Sequence, residues 1–391
     1  MKFDFDKVVD RHGTKCLKYD FAKERGRSDD MLPLWVADMD FQTAPGIQKS
    51  LSDAVAHGIY GYSEGKDDYF QAAARWYEKH FGWKVEKEWL IKTPGVVFAL
   101  AMAVKAYTKE GDAVLLQQPV YYPFSEVITD NHRRLINSPL QQIDGHYEIN
   151  FEEFEQKIVE ENVKLFLMCS PHNPVGRVWK EWELRKIGDI CLKHNVLVVS
   201  DEIHSDFTYG ENIHHVFASL DEKYAAITTT CTAPSKTFNI AGLQISNIWI
   251  SNPELRARFR AEVTAAGYSQ VNLMGLVACQ AAYETGEEWL KELKIYLEGN
   301  LDYVRTFLKE NLPEIKLTEP EGTYLLWLDF KSLGMKEEQL KDLVENKAKL
   351  WLDSGAMFGP DGEGFERINI ACPREILKQA LTQLAESVHD R

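Results

Sequence analysis

The amino-acid sequence predicts an α/β protein whose main sheet is mostly parallel and buried on both faces. From about residue 90 to residue 285, short runs rich in apolar and β-branched residues alternate with helical patterns, and this alternation is typical of strands that are joined through helices. The runs also lack the apolar–polar alternation of a sheet that has one face in water. We therefore expect helices on both faces of the sheet.

The elements of this region are predicted in order along the chain. Strands are expected at residues 113–116, 165–168, 196–200 and 225–231. Helices are expected between them at residues 99–107, 122–131, 151–160 and 181–194.

The pattern changes after Gly286, which predicts a second, smaller α+β domain. A long charged helix is expected at residues 287–311, followed by strands at 315–318 and 324–329 and by a further helix, strand and terminal helix. The first 45 residues lack strong periodicity and are interrupted by Pro33 and Pro45, so they are expected to form an arm. We assign residues 1–46 to this arm as part of the small domain, residues 47–286 to the large domain and residues 287–391 to the small domain.

Composition and charge narrow the classes of function. The chain has 391 residues, of which 45% are hydrophobic and 27% charged, which suits a globular protein with a large core. A formal net charge of -15 repels polyphosphate backbones, so nucleic acid is a poor partner. The longest apolar run, residues 96–104, is too short to cross a bilayer, and Asp4, Asp6 and Asp10 argue against a signal peptide. We expect a cytoplasmic protein with no membrane partner.

The cysteines and histidines predict neither a disulfide framework nor a metal site. The six cysteines are scattered without a CxxC pair and are expected to be reduced. His214 and His215 are adjacent, which places them on opposite faces of an extended chain and disfavours a shared metal. The glycine-rich run at residues 359–364 carries two acids and opens no helix, so a loop is expected there.

Two ionisable residues stand where open α/β sheets bind ligands. Asp201 follows the strand at 196–200, so its carboxylate is expected at the carboxyl end of that strand. It could hold the proton of a pyridine nitrogen, or it could cap a helix or, with Glu202, bind a metal. Lys236 lies between an apolar strand and the small residues at 240–242, where burial and a nearby cation would lower its pKa and leave an amine that condenses with a carbonyl. The alternative is a lysine in a surface turn.

Three further segments could complete a site for a phosphorylated heterocycle. The backbone amides after Gly95 lead into a helix and can point at an anion, although most such turns bind nothing. Tyr121 and Tyr122 follow the strand at 113–116, where a ring could stack on a flat ligand or pack in the core. Asn173 lies in the tight loop at 170–176, which would present its amide at the same edge. An amine, an acid, phosphate donors and an aromatic wall are what pyridoxal phosphate (PLP) requires.

In order and spacing over nearly the whole chain, these segments resemble the fold-type I PLP enzymes of the aspartate aminotransferase superfamily. The matching motifs are the Gly95 turn, Tyr121 two residues after Pro119, Asn173 in Asn-Pro-x-Gly, Asp201 in Asp-Glu, Lys236 after Ser235 and Arg367 in Arg-Ile-Asn-Ile-Ala. The resemblance implies a fold-type I PLP-dependent transferase whose large domain contains a mostly parallel, seven-stranded sheet. It also implies that PLP forms a Schiff base with Lys236.

The resemblance assigns a role to each matched residue. Tyr121 would stack on the ring and take part in catalysis, Asn173 would bond the ring hydroxyl oxygen, and Asp201 would hold the pyridinium. Arg367 would bind the substrate α-carboxylate through two hydrogen bonds, which suits a planar guanidinium. Ala37, Asn173 and Tyr121 also stand at positions that bind substrate.

Several departures from the aminotransferases resemble instead the MalY/PatB-type cystathionine β-lyases, or C-S lyases. His204 stands at a cofactor-binding position where aminotransferases usually have a tyrosine, and Gln244 stands where they usually have a phosphate-binding arginine. Residues 35–41, 60–63 and 233–244 are also similar to that lyase group.

Without that arginine, the resemblance implies other phosphate ligands. The predicted ligands are the backbone amides of Val96 and Val97, the Ser235 hydroxyl and Tyr62 from a partner subunit, with Tyr60 as the alternative to Tyr62. The implied assembly is a homodimer with a shared active site.

The function implied is a PLP-dependent cystathionine β-lyase or cysteine-S-conjugate β-lyase. L-Cystathionine or a related S-conjugate would be cleaved by α,β-elimination to a thiol, pyruvate and ammonia, with Lys236 as the base at Cα. An aminotransferase is the alternative within PLP chemistry, and His204 and Gln244 disfavour it. A further alternative is a regulatory protein that binds a transcription factor, but the retained set of Asp201, Lys236 and Arg367 argues against a purely structural role.

Overall fold

The computed structural model describes residues 2–391. The strands are β1 (Leu32–Pro33), β2 (Leu90–Thr93), β3 (Ala113–Leu116), β4 (Arg134–Asn137), β5 (Gln141–Ile143), β6 (His146–Glu148), β7 (Leu165–Cys169), β8 (Leu197–Asp201), β9 (Thr228–Thr232), β10 (Ser246–Trp249), β11 (Lys316–Thr318), β12 (Leu325–Asp329), β13 (Leu350–Trp351), β14 (Asp353–Ser354) and β15 (Phe365–Asn369).

The α-helices are α1 (Leu17–Asp20), α2 (Pro45–His57), α3 (Asp67–Phe81), α4 (Val96–Tyr107), α5 (Pro123–Thr129), α6 (Phe151–Glu160), α7 (Glu181–Lys193), α8 (Glu222–Ala225), α9 (Pro234–Thr237), α10 (Pro253–Ala265), α11 (Leu273–Thr285), α12 (Glu287–Asn311), α13 (Glu337–Lys341) and α14 (Arg374–His389).

The main sheet contains seven strands in the order β2-β10-β9-β8-β7-β3-β4. Strands β9, β8, β7, β3 and β4 run parallel to one another, whereas β10 runs antiparallel to both of its neighbours. The predicted α/β fold with a mostly parallel, seven-stranded sheet is therefore confirmed.

The side chains of β3 explain why the sequence shows no polar alternation. Val114 and Leu116 pack in the apolar layer that contains α4, α5 and α10, whereas Ala113 and Leu115 pack in the layer that contains α6 and α7. All four side chains are at most 1% exposed. Both faces of the strand are covered, so both demand apolar residues.

The strand predicted at residues 225–231 is wrong at its start. Ala225 ends α8, and β9 is Thr228–Thr232. The Asp221 carboxylate accepts a hydrogen bond from the Lys223 amide (3.0 Å) and caps the short helix, so a local polar contact outweighs the apolar character of residues 225–227. The helix predicted at 99–107 begins three residues earlier, at Val96, and the other predicted boundaries differ from the observed ones by two residues or fewer.

A second sheet contains four strands in the order β11-β12-β15-β14 and lies beside α12, which spans the predicted residues. The N-terminal arm joins this part of the chain, because β1 pairs in parallel with β13, with Leu32 opposite Leu350. The amide of Asn369 in β15 also donates to the carbonyl of Leu34 (2.9 Å). The arm thus lies against residues near the other end of the chain.

The apolar run at residues 96–104 lies inside α4, where Ala99, Leu100 and Val104 are fully buried. The run packs against the main sheet as part of the hydrophobic core. Across residues 2–391, none of the helices has both the length and the apolar character that crossing a membrane requires.

Candidate active site

A cavity of about 400 Å³ lies at the carboxyl ends of the parallel strands β3, β7, β8 and β9. This is the edge at which open α/β sheets bind ligands. The cavity brings together most of the residues that the sequence had singled out: Ala37, Gly95, Val96, Val97, Tyr121, Asn173, Asp201, His204, Ser235, Lys236 and Gln244.

Asp201 is the last residue of β8, and its side chain is buried below the cavity. The Ile203 amide donates a hydrogen bond to its Oδ1 (3.1 Å). Burial raises the pKa of the Asp201 carboxyl to about 7, while this hydrogen bond and the charge of Lys236 act in the opposite direction. Its predicted position at a strand end is thus observed.

Lys236 lies in the four-residue helix α9, which begins at Pro234. Its Nζ donates a hydrogen bond to the carbonyl of Ala37 (2.8 Å). Burial lowers the pKa of the Lys236 amine to about 8; Asp38 and Asp201 oppose this change, and Arg367 reinforces it. The residue is an enclosed amine and not a lysine in a surface turn.

Tyr324 is a site residue that sequence reasoning missed. Its hydroxyl donates to the Ala37 carbonyl (2.9 Å), the same oxygen that accepts from Lys236. Its ring also meets the ring of His204 edge-on, with centroids 5.9 Å apart. No sequence motif marks this tyrosine, because its partners come from distant parts of the chain.

A second contact that sequence reasoning missed fixes the position of α9. The Thr237 hydroxyl donates to Asp206 Oδ2 (2.6 Å), and Trp76 Nε1 donates to Asp206 Oδ1 (3.2 Å). Asp206 therefore connects the loop after β8 to the helix that carries Lys236. A motif search centred on Lys236 gives no sign of this contact, since Asp206 lies on a different segment.

The N-terminus of α4 supplies backbone donors at one end of the cavity. The helix begins at Val96, and the amides of its first turn have no acceptor within the helix. Residues 95–97, Ser235 and Gln244 line this end together. An anion placed there would meet several N–H and O–H donors.

Arg367 is buried, at 1% exposed, in the middle of β15. Its Nη1 donates to Asn173 Oδ1 (3.1 Å), and its Nη2 donates to the carbonyl of Trp35 (2.8 Å) and to Asp353. The Nε–H has no hydrogen-bond partner. Asn173, which lines the cavity, thus meets Arg367 through its amide oxygen; Arg367 does not itself line the cavity, and its Nε–H is left without a partner.

His204 is buried and Tyr121 is half-buried against the cavity. Burial raises the pKa of the Tyr121 phenol, which keeps it protonated and able to donate. Burial and the charges of Lys236 and Arg367 lower the pKa of His204 well below its ordinary value, so its ring is neutral. Its Nδ1 has no partner, which leaves a ring nitrogen for a ligand.

Tyr60 and Tyr62 do not line this cavity. They line a neighbouring recess together with Pro94 and Gln244, two residues that also border the main cavity. Tyr62 is 95% exposed and Tyr60 is 61% exposed. Within one chain these tyrosines therefore face outward.

These residues fit PLP. The site offers an enclosed amine, a buried carboxyl, a helix N-terminus, the Tyr121 ring and the unpartnered Nδ1 of His204. Each of these matches a different part of the cofactor: the aldehyde, the pyridine nitrogen, the phosphate, the ring face and the ring oxygen. A single cavity large enough for a small molecule holds all of them.

The chain matches the family model for aminotransferase class I and II over residues 30–384. It is 43% identical to cystathionine beta-lyase PatB of Bacillus subtilis, over 97% of this chain and 98% of that protein. It is 34% identical to protein MalY of Escherichia coli, over 99% of each. The crystal structure of cystalysin from Treponema denticola, which contains PLP, superimposes with a TM-score of 0.96 at 39% identity, over 100% of both chains.

Proposed function

The chain belongs to the aminotransferase class I and II family, and we propose that within it the protein is a PLP-dependent carbon–sulfur β-lyase. It cleaves L-cystathionine or a related cysteine S-conjugate to a thiol, pyruvate and ammonia by α,β-elimination. The observation that carries this proposal is the pair of Lys236 and Asp201 in one cavity, with pKa values of about 8 and about 7, in a chain 43% identical to a cystathionine β-lyase.

Bound PLP supplies an aldehyde that condenses with amines and a protonated pyridine ring that withdraws electrons from the substrate Cα. We propose that Asp201 holds the pyridine nitrogen, that Tyr121 covers the ring, and that Asn173 and His204 bond the ring oxygen. The amides of Gly95, Val96 and Val97, the Ser235 hydroxyl and Tyr62 of the partner subunit would hold the phosphate.

Lys236 moves the proton in this proposal. Because its pKa is about 8, a useful fraction of the amine is uncharged at neutral pH and can accept the proton of the substrate Cα. The electrons of the Cα–H bond then form a Cα=Cβ double bond, while the Cβ–S bond breaks and its electrons leave with the sulfur as a thiolate. The Ala37 carbonyl holds the Lys236 amine (2.8 Å) at the cavity wall, where it stays within reach of the substrate.

Arg367 fixes the orientation of the substrate. We propose that its unpartnered Nε–H binds the α-carboxylate beside Asn173 and Ala37. Asp353 and the Trp35 carbonyl keep the guanidinium in one position, so the Cα–H bond is presented to Lys236 with little loss of entropy at the moment of reaction. The protonated Tyr121 adds a hydrogen-bond donor at the same place.

The test is turnover of L-cystathionine by the PLP-loaded protein with no 2-oxo acid added. We expect equimolar release of thiol and pyruvate, measured with a thiol reagent and with lactate dehydrogenase. The aminotransferase alternative requires a 2-oxo acid acceptor, and turnover that depends on one without thiol release would refute the lyase function. A panel of cysteine, cystine and bulkier S-conjugates then ranks the leaving groups.

We further propose that the enzyme is a cytoplasmic homodimer. The exposure of Tyr60 and Tyr62 beside Pro94 and Gln244 supports a shared site, because a partner's copy of either tyrosine could reach the phosphate end of the cavity. The six cysteines, all unbridged, support a reducing compartment.

A further inference from the structure

A second cavity, of about 680 Å³, lies between the N-terminal arm and the edge of the four-stranded sheet. We call it the arm cavity and define it by Arg25, Arg27, Trp35, Glu345, Trp351 and Glu366. None of the roles proposed above uses these side chains. The arm cavity adjoins the active site, because Trp35 and Asp353, which both line it, hold Arg367 from the opposite side.

Three polar groups around the arm cavity lack the hydrogen bonds that buried groups normally make. Trp35 is 8% exposed and its Nε1–H has no partner, and the Nε–H of Arg27 has none either. Glu366 is 3% exposed, and no side chain in residues 2–391 donates to its carboxylate. Buried N–H groups without partners are rare because each costs folding free energy, so the two N–H groups of Trp35 and Arg27, close to an unpaired carboxylate, indicate that a ligand completes their hydrogen bonds.

The charges around the arm cavity define the chemistry of that ligand. Glu337 already accepts from the Gly364 amide, and Glu345 pairs with Arg27 (2.8 Å). Within the described part of the chain, neither Glu366 nor Glu337 forms an ion pair, and burial together with Glu337 and Asp353 raises the pKa of Glu366. A cation supplied by a ligand would remove this imbalance.

The arm side of the cavity offers the opposite charge. Arg25 is exposed and lies over the Trp35 ring (5.3 Å), without an ion pair to any carboxylate of the described chain. The free Nε1–H of Trp35 is beside it. Trp35 and Trp351 stack with ring centroids 4.5 Å apart and together give the cavity an apolar part of its lining. A small molecule in this cavity would thus contact a carboxylate, an apolar surface and N–H groups that can donate hydrogen bonds to an anion.

We propose that the arm cavity binds an α-amino-acid group, with its ammonium on Glu366 and its carboxylate on Arg25 and Trp35 Nε1. Two sources carry this chemistry: the distal amino-acid end of a substrate such as L-cystathionine, or a separate free amino acid. The first source rests on the proposed lyase function, whereas the second does not depend on it.

The first experiment measures amino-acid binding while covalently attached cofactor blocks reaction in the active site. Borohydride reduction of the holoenzyme fixes the cofactor to Lys236, so an added amine cannot exchange there, and L-homoserine is then titrated by calorimetry. Glu366→Gln and Arg25→Gln should each weaken binding by about tenfold or more, since each removes a charge-assisted contact. The matched controls are Glu338→Gln and Arg75→Gln, which change exposed residues outside the cavity. Arg25 is itself exposed, so its variant is expected to fold.

The second experiment compares substrates on the unreduced holoenzyme. If the distal end of L-cystathionine occupies the arm cavity, both variants raise KM for L-cystathionine by about tenfold with kcat unchanged, and leave KM for S-methyl-L-cysteine as in wild type. If the variants weaken only the binding measured by calorimetry, the arm cavity binds a free amino acid. The proposal is overturned if neither variant changes either measurement. If the wild type releases no thiol from either substrate, the lyase function is refuted. The calorimetric experiment alone then tests whether the arm cavity binds an amino acid.

Discussion

At the scale of single residues, burial moves the pKa values of two groups toward each other. The carboxyl of Asp201 is raised to about 7 and the amine of Lys236 is lowered to about 8. Each group can therefore exchange a proton near neutral pH, which is what general acid–base catalysis requires. In an exposed setting, the same two residues would be fully charged and inert.

Replacing Lys236 tests its role as the attachment point and base. Lys236→Ala should lower the rate of pyruvate release by roughly a thousandfold or more, because no other amine lines the cavity within residues 2–391. Borohydride should then no longer fix PLP to the protein, as judged by absorbance after denaturation. Lys309→Ala, at an exposed position of α12, is the matched control and should keep full activity. A Lys236→Ala protein that retains covalently reducible PLP would place the Schiff base elsewhere.

The raised pKa of Asp201 predicts a pH-dependent stability of the cofactor-free protein. The folded state keeps a proton that the unfolded state releases between 3.8 and about 7, so the contribution of Asp201 to stability falls as the pH rises through this window. Cofactor-free Asp201→Asn should therefore be more stable than the wild type above about pH 7, by on the order of 1–3 kcal/mol, with the difference vanishing toward about pH 4. Urea unfolding at several pH values measures this, and a difference independent of pH would contradict it.

Residue types and spacing identified the polar residues of the cavity but not the contacts that hold them. Lys236, Asp201 and Asn173 stand in recognisable motifs next to strand ends. Tyr324 does not, because its bond to Ala37 joins positions 287 residues apart. Such a contact exists only once the sheet is assembled, so local pattern carries no trace of it.

At the scale of elements, the short helix α9 is too small to hold Lys236 by itself. Isolated helices of one turn are unstable in water, so the Thr237–Asp206 hydrogen bond (2.6 Å) is expected to fix the helix. Thr237→Val should lower kcat by about tenfold with little change in KM. It should also shift the pH profile of cofactor absorbance, because Lys236 is less firmly placed. Thr237→Ser keeps the hydroxyl and should restore both properties; failure of this rescue would point to lost packing instead.

For two glycines within helices, we expect replacement by alanine to change stability in opposite directions. A methyl group at Gly188 in α7 would collide with the ring of Tyr224, whereas at Gly299 in α12 it would meet only the end of the flexible Arg374 side chain (3.1 Å). Gly188→Ala should therefore destabilise the protein by about 1–3 kcal/mol, and Gly299→Ala should stabilise it by up to about 1 kcal/mol through helix propensity. Denaturant midpoints of the two variants measure this, and equal changes in the same direction would contradict it.

Predictability also varied among the elements. The buried strands β3, β7 and β8 and the long helix α12 have strong patterns and lie where they were expected. Strands β2, β4 and β10 were not individually predicted. The Ser246–Trp249 segment mixes polar and apolar residues. Asn247 is polar and yet buried, because its side-chain oxygen accepts a hydrogen bond from the Tyr69 hydroxyl (2.7 Å).

At the scale of the whole molecule, the proposed dimer makes a prediction about mixed subunits. Lys236→Ala and Tyr62→Ala homodimers should each be weakly active. If Tyr62 acts across the interface, a hybrid dimer has one complete site, and unfolding and refolding an equal mixture should restore about a quarter of the wild-type activity. If the tyrosine acts within its own subunit, mixing restores nothing. Repeating the experiment with Tyr60→Ala decides between the two tyrosines.

We also propose that residues 47–286 form the large domain, and that residues 287–391 together with the arm form the small one. The pairing of β1 with β13 and the bond from Asn369 to Leu34 support placing the arm with the small domain. The α/β class and the sheet could be predicted from sequence, because local periodicity carries them. The attachment of the arm depends on a contact between distant segments.

That attachment has a consequence during synthesis of the protein. Leu32 cannot meet Leu350 until nearly the whole chain has left the ribosome, which at about 5–20 residues per second takes on the order of 20–80 seconds. For that time the segment leading to Ala37 has no partner strand. A premature stop shortly before Leu350 would therefore remove β13 and Asn369, the backbone partners of Leu32 and Leu34, although both leucines had long been made.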